Sequence, residues 1–423
     1  MIKLRHRSFD EWIFIWYIML LPILPEYFRV AGSPVFVFIG IFPVLFLILK
    51  DSRKGLKLDK AYVQVIAPIF LLAVISYGAH SEFSSLARYI MFPVVSTYLI
   101  RKYVKDEEQV YDVFRIMVYV GFVMCLFGLI EKLFGYNVFS IIENVADYGK
   151  TGTQPSYRNG VARVELSFGN PISAALYMIF INCLAFTLWR KQGITKNVKR
   201  ISLATYVLSF LIIILTDSRM CIITVLLMQV LFFMRERWSK RAAILIALIS
   251  VIAIDFAIGG FISQYLGKYI TFIADILQNG SNTSDTNTLY RFELIPVFLP
   301  MIRERFFFGY GNEFLNGYRF GILNGYAYSI DNMYLETFVR HGLFGFSIVI
   351  IPIIYMFSFS KKIKNTSREM SYNFTWMTII YLINLISVAQ LGEQRLFYLI
   401  WGLMLSYCYM NRPENKYNNK SMN

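Results

Sequence analysis

The sequence predicts an all-α integral membrane protein of about twelve transmembrane helices, with both termini cytoplasmic and two long outer loops. Three observations predict it. Of the 423 residues, 57% are hydrophobic and only 16% charged, against about 45–50% and about 25% in average soluble chains. Apolar stretches of near-spanning length recur along the whole chain. The short segments between them are alternately rich and poor in Lys and Arg, the bias that sets membrane orientation.

Taken in order, the apolar stretches are 12–30, 35–49, 61–78, 86–100, 113–133 and 171–189, then 201–215, 220–234, 242–260, 333–359, 374–390 and 396–410. Each approaches or reaches the roughly 20 residues that a span requires. The basic segments lie near residues 3–7, at 50–60, 101–105, 190–200, 235–241 and 361–368, and in the C-terminal tail; they hold 27 of the 42 Lys and Arg. The short segments of the opposite set hold Arg29, Arg219 and Arg395. With twelve spans every gap falls on the side its charge demands, so both termini are assigned to the cytoplasm. The polar start of the chain runs into Pro22, Pro25 and Glu26 with no small-residue cleavage site, so the first apolar run is read as a span and not a cleaved signal.

The chain reads as one polytopic domain, 1–423, with outer loops at 134–170 and 261–332. A loop as long as the second is uncommon without a function. Residues 261–330 contain five basic and five acidic side chains, so the loop does not build a basic surface. Its segment 289–308 is amphipathic and interrupted by prolines, the pattern of a helix lying on the membrane face. No internal repeat is visible, which argues against a transporter built from duplicated halves.

Several function classes fall away. The net charge of +15 follows the positive-inside pattern and forms no basic arm or helix, so nucleic acid is not an expected partner. The cysteines Cys125, Cys183, Cys221 and Cys408 all lie within apolar stretches and form no CxxC pair, which speaks against zinc and a disulfide framework. The phosphate-loop, zinc-protease and nucleophile-elbow motifs are missing. With only His6, His80 and His341, histidine-based catalysis and a metal site are not expected.

What remains is polar chemistry at the outer face. Arg219 sits in Thr216-Asp217-Ser218-Arg219, a tight turn between two apolar stretches, with a structural pair to Asp217 as the competing account. Arg163 immediately precedes the sixth stretch, where an ordinary loop arginine beside Glu165 competes. Arg291 opens the amphipathic segment near Glu293, where a surface charge competes. Arginine suits phosphate because its planar fork gives bidentate hydrogen bonds and it stays charged. Three such groups could hold a lipid diphosphate and stabilise it as a leaving group. Asp331 and Asn332 stand at the entry of the tenth stretch, where Asp and Asn are also favoured N-caps. The functional alternative is a carboxylate that takes a proton from an attacking hydroxyl. Glu336, about a turn further on, falls near the same face.

These residues resemble the O-antigen polymerase/ligase superfamily, bacterial membrane enzymes that join lipid-linked oligosaccharides outside the cytoplasm. Three patterns carry the resemblance: the Ser218-Arg219 turn; Arg291 followed some twenty residues later by Gly309-Tyr310-Gly311; and Asp331-Asn332-Met333-Tyr334-Leu335-Glu336 followed by Gly342-Leu343-Phe344-Gly345. The stretch from Arg163 to Pro171 is similar to the family's segment before a central span. The resemblance implies a metal-independent glycosyltransferase that uses an undecaprenyl-diphosphate-linked donor and no cofactor. Arg163, Arg219 and Arg291 are then the diphosphate ligands. Ligase members often carry a histidine before the asparagine of the third pattern, where this chain has Asp331. That departure favours a Wzy-type polymerase and makes Asp331, with Asn332 and Glu336, the candidate catalytic group.

The expected activity is transfer of a growing glycan from undecaprenyl diphosphate onto a lipid-linked repeat unit at the outer face of the plasma membrane. Tyr290, Tyr310 and Tyr334 are candidate sugar-stacking residues, with interfacial packing as the competing role. Expected partners are the lipid-linked oligosaccharide and membrane lipids, and a chain-length regulator protein is left open. An O-antigen ligase is the nearest alternative. A lipid-linked oligosaccharide flippase or transporter is the alternative from another class.

Overall fold

A computed structural model describes residues 8–25, 29–30, 33–34, 46–47, 49–50, 53, 60–83, 86–87, 90–140, 157–158, 161–235, 267, 286–311, 330, 332–387 and 394–410. Among them the regular secondary structure is helical apart from two antiparallel ladders, Arg29–Val30 with Ser33–Pro34 and Tyr157–Arg158 with Val161–Ala162. The helices are α1 (Phe9–Ile23), α2 (Lys60–Gly78), α3 (Ser96–Tyr103), α4 (Glu107–Phe134), α5 (Pro171–Arg190) and α6 (Lys196–Leu215). They continue with α7 (Arg219–Met234), α8 (Thr286–Glu304), α9 (Met333–Ile363), α10 (Arg368–Leu385) and α11 (Gln394–Met410).

Four described helices are long and apolar enough to cross a membrane: α4, α5, α6 and α9. Shorter apolar helices occupy Tyr62–Gly78, Arg219–Met234 and Leu396–Met410. The second and ninth sequence-predicted stretches, and most of the second long loop, lie largely or wholly outside the described residues.

The fourth stretch departs from expectation. Instead of one α-helix it forms a π-helical turn at Ile90–Val95 that leads into α3. Pro93 explains the change, because it has no N–H to continue an α-helical ladder. Side chains bond carbonyls of this turn: Tyr62 Oη donates to Val94 O at 2.7 Å, and Thr97 Oγ1 donates to Pro93 O and to Val94 O. In lipid no water would satisfy those groups.

Helix α5 is the axis of the bundle. Its apolar window is 89% buried, against 33% for α6, so α5 is enclosed by protein while α6 turns Leu203, Val207 and Leu211 outward. Interior polar side chains tie the helices together. Gln229 Nε2 on α7 donates to Asn182 Oδ1 on α5 at 2.8 Å, and Asn182 Nδ2 donates to Tyr206 O and Ser209 Oγ on α6 at 2.8 and 3.0 Å. Asn384 Nδ2 on α10 donates to Thr224 Oγ1 on α7 at 3.0 Å, while Cys221 Sγ on α7 lies 3.1 Å from Asn384 Oδ1. Such bonds hold helices together where the surroundings are as apolar as the side chains.

Candidate functional site

Two junctions at one end of the bundle hold most of the described candidate residues. The first is built around the return of the chain into α5. Near the end of α4, Glu131 is buried with 5% exposure. Its carboxylate accepts the backbone N–H groups of Glu165 at 2.9 Å and Leu166 at 3.0 Å, and an Asn137 Nδ2–H at 3.3 Å. Asn137 Nδ2 also donates to Leu166 O at 2.8 Å. Leu166 has φ +54°, a left-handed conformation that costs an ordinary residue roughly 1–2 kcal/mol. The convergent hydrogen bonds hold it there.

This grip fixes the strand just upstream. Val164 N donates to Leu215 O at 3.3 Å. Arg163 Nε donates to Thr216 O at 2.8 Å and Arg163 Nη2 to Ser218 Oγ at 3.2 Å. Arg163 is thereby bound to both flanks of Asp217, in the turn that delivers Arg219 to the start of α7. Asp217 has φ +50°, and Lys132 Nζ donates to Ala162 O, next to Arg163 in the chain, at 2.5 Å. The Ser218 hydroxyl faces Arg163 and makes no cap bond to its own helix. Arg163 is thus bound to the turn that carries Arg219.

The second junction is a break in α9. Asn332 caps this helix by accepting from Leu335 N at 3.1 Å. The helix runs to His341 and is then interrupted at Gly342, with φ 62° and ψ −158°, a backbone state open essentially to glycine. The segment that follows α8 fills the break. Tyr310 N donates to Val339 O at 3.0 Å and Gly311 N to Arg340 O at 2.7 Å. In return Leu343 N donates to Phe306 O at 2.8 Å and Phe344 N to Phe307 O at 3.3 Å. Every group freed by the break that these bonds reach is satisfied within the protein, as an apolar surrounding requires. The close approach explains Gly309-Tyr310-Gly311: a Cβ at Gly309 would stand 2.5 Å from the backbone of Val339 and Arg340.

Charge gathers at this break. Arg340 Nη2 lies 3.3 Å from Glu82 Oε2, and Arg340 Nη1 lies 3.3 Å from Glu336 Oε1. His341 Nε2 is 3.9 Å from Glu82 Oε2. Its ring meets Tyr77 edge-on at 4.7 Å and lies 6.4 Å from the ring of His80. His80 Nε2 is 2.7 Å from Phe308 O. Sequence reasoning gave Glu82, Arg340 and the histidines no role. The available signal was Arg340-His341 inside an apolar stretch, because an ionisable pair there demands partners. Glu131, a carboxylate near the end of another apolar stretch, carried the same signal.

Helix α10 connects the junctions. Tyr334 Oη at the start of α9 donates to Leu382 O at 3.0 Å. Two residues on, Asn384 bonds Cys221 and Thr224 near the start of α7. At a rise of about 1.5 Å per residue, the two helix starts stand at one level of the bundle.

The other candidates fall as follows. Glu336 is at the second junction, paired to Arg340. Tyr310 is 1% exposed; its hydroxyl donates to Glu304 Oε2 at 2.7 Å and Arg305 covers its ring at 4.5 Å. These contacts pack the ring within the protein, the role that competes with sugar stacking. The Tyr334 hydroxyl is engaged by α10. Tyr290 and Arg291 belong to α8, but their side chains lie outside the described residues, as does Asp331.

Long apolar helices, polar ties inside the bundle and an outward apolar flank define a polytopic helical membrane protein. Residues 204–350 match the family model Wzy_C, O-Antigen ligase, a similarity that supports the O-antigen polymerase/ligase superfamily for that segment. The match runs from within α6 through the Ser218-Arg219 turn, α8 and the break in α9. No curated protein matches the chain.

Proposed function

We propose that the chain is a Wzy-type polysaccharide polymerase at the outer face of the plasma membrane. The growing glycan, linked through its anomeric carbon to undecaprenyl diphosphate, is transferred to a hydroxyl of a lipid-linked repeat unit. The new glycosidic C–O bond forms as the anomeric carbon–diphosphate bond breaks, and undecaprenyl diphosphate leaves. Asp331 takes the proton of the attacking hydroxyl, with Asn332 and Glu336 near it. Arg163, Arg219 and Arg291 hold the leaving diphosphate.

The observation that carries this reading is the meeting of Arg163 with the Ser218-Arg219 turn, level with the helix start that bears Glu336. The N-termini of α7 and α9 add positive dipole ends there, which favour an anion. Asp331 in place of the ligase histidine supports polymerisation. The description of the matching model favours the second reading, an O-antigen ligase.

The test is complementation of a deletion strain with wild type, Arg219→Ala, Arg291→Ala or Asp331→Ala, each checked for membrane level before surface glycan is run on a gel. Single repeat units on the anchor identify a polymerase. Long polymer retained on undecaprenyl diphosphate and missing from the core identifies a ligase. Long surface polymer in the deletion strain rejects both and brings transport forward.

A further inference from the structure

We infer that Glu131 is the positioning residue for Arg163, and that its carboxylate sets the aim of that guanidinium at the diphosphate. The inference rests on the proposal that Arg163 is a diphosphate ligand. Glu131 itself is buried and acts through the backbone N–H groups that it accepts.

A helix of 28 residues provides a rigid base for Glu131. Both carboxylate oxygens are used on consecutive peptide N–H groups, those of Glu165 and Leu166. One carboxylate bridging two neighbouring amides fixes their relative rotation and not only their distance. It also holds Leu166 at positive φ, which reverses the chain so that Leu166–Phe168 turns away into α5 while residues 163 and 164 run back along the end of α6. Only Val164 separates Arg163 from the gripped amides, and its own N–H is tied to Leu215 O. Arg163 therefore emerges at one height and in one direction, with Nε and Nη2 on Thr216 and Ser218. The fork is planar and rigid, so these two bonds fix the direction of all its N–H groups. Bidentate recognition of an anion demands such fixed orientation, and loss of a supporting group misdirects the ligand while leaving it present.

A merely structural account makes a different forecast. If Glu131 only satisfies buried amides, replacing it lowers the amount of folded protein while the folded fraction binds normally. If it positions Arg163, the folded fraction binds diphosphate weakly, and the loss is not additive with loss of Arg163.

The experiment measures undecaprenyl diphosphate binding to the purified full-length protein in nanodiscs, for wild type, Glu131→Gln, Arg163→Ala and the double variant. Thermal unfolding is recorded on the same samples. Gln keeps one acceptor but turns an N–H₂ donor toward the second amide. Glu131→Gln is expected to weaken binding about tenfold, the equivalent of one charge-assisted hydrogen bond. Arg163→Ala is expected to weaken it by at least as much, and the double variant no further than Arg163→Ala alone. Asn137→Ala, which removes one donor to Glu131 and one to Leu166 O, supplies a gentler variant should Glu131→Gln not accumulate; a loss of about threefold, absent in the Arg163→Ala background, supports the inference equally. Wild-type affinity in Glu131→Gln or Asn137→Ala alongside weakened binding in Arg163→Ala overturns the inference and leaves the diphosphate reading intact. Losses that multiply in the double variant overturn it likewise. Wild-type affinity in Arg163→Ala overturns the diphosphate assignment of Arg163 and the inference with it.

Discussion

The two junctions join chain segments by opposite means. At the first, one carboxylate on an unbroken helix reaches across to a turn, and the arginine it places is half-buried. At the second, the helix itself is opened at Gly342 and another segment is stitched into it by four backbone hydrogen bonds. The charges there, Glu82, Arg340 and Glu336, pair with one another. The difference teaches a division of labour. A side-chain lever can be altered without unmaking the fold, whereas a backbone stitch can hardly be altered at all. Changes at the first junction should therefore register in affinity, and changes at the second in stability.

The largest effect is expected at Gly342. A Cβ there would stand 2.4 Å from the Phe307 carbonyl and 2.5 Å from Phe308 N, on a backbone at φ +62°. Gly342→Val adds a clash with rigid backbone to a strained conformation and should cost about 4 kcal/mol or more. The membrane level of the variant, measured by immunoblot beside wild type, should fall to near background. Normal accumulation of Gly342→Val would mean that the break is not what closes this junction.

Arg340 comes next. Glu82 has 5% exposure, and Arg340→Ala would leave its buried carboxylate without the guanidinium. Removing one partner of a buried pair costs about 3–5 kcal/mol. The double change Glu82→Gln with Arg340→Met should recover much of that loss, because a buried pair gains little over well-packed neutral side chains. Thermal unfolding of the solubilised protein decides: a double variant no more stable than Arg340→Ala would show that the guanidinium does more at this break than neutralise Glu82.

How far the sequence reveals such arrangements depends on what holds them. Helices α4, α5, α6 and α9 are legible because their apolar runs are long. The π-helical turn at Ile90–Val95 is foreshadowed by Pro93, but its geometry depends on Tyr62 and Thr97, of which Tyr62 is far away in sequence. Arg163 and the Ser218-Arg219 turn could be singled out as charges beside apolar runs. Their mutual contact could not, because it depends on Glu131 and on Leu166 adopting a backbone conformation that leucine seldom takes. Glu82 and Arg340 are 258 residues apart, and no local pattern pairs them. The Gly309-Tyr310-Gly311 pattern is visible in sequence, yet its physical meaning appears only when Val339 and Arg340 are seen to lie against it.

Tyr310 and Asn332 offer smaller effects that sharpen the contrast. Tyr310→Phe removes the bond to Glu304 while keeping the ring under Arg305; a loss of about 1 kcal/mol of stability is expected, with the glycan pattern unchanged. A changed glycan pattern at full stability would put Tyr310 in the substrate path.

Asn332 separates capping from chemistry within one side chain. Its Oδ1 accepts from Leu335 N, a cap that Ser or Asp can also make. Asn332→Ala should cost about 1 kcal/mol, whereas Asn332→Ser and Asn332→Asp should stay within a few tenths of wild type. Stability alone therefore cannot assign this residue, but the glycan gel can. If Asn332 is a cap and nothing more, Asn332→Ser and Asn332→Asp make wild-type polymer. If its amide also orients the acceptor hydroxyl, both fold normally and polymerise poorly, because neither supplies an amide N–H₂ donor. The second outcome would join the proposed chemistry to the start of α9. The break at Gly342 would then be the weld that keeps that helix start in place.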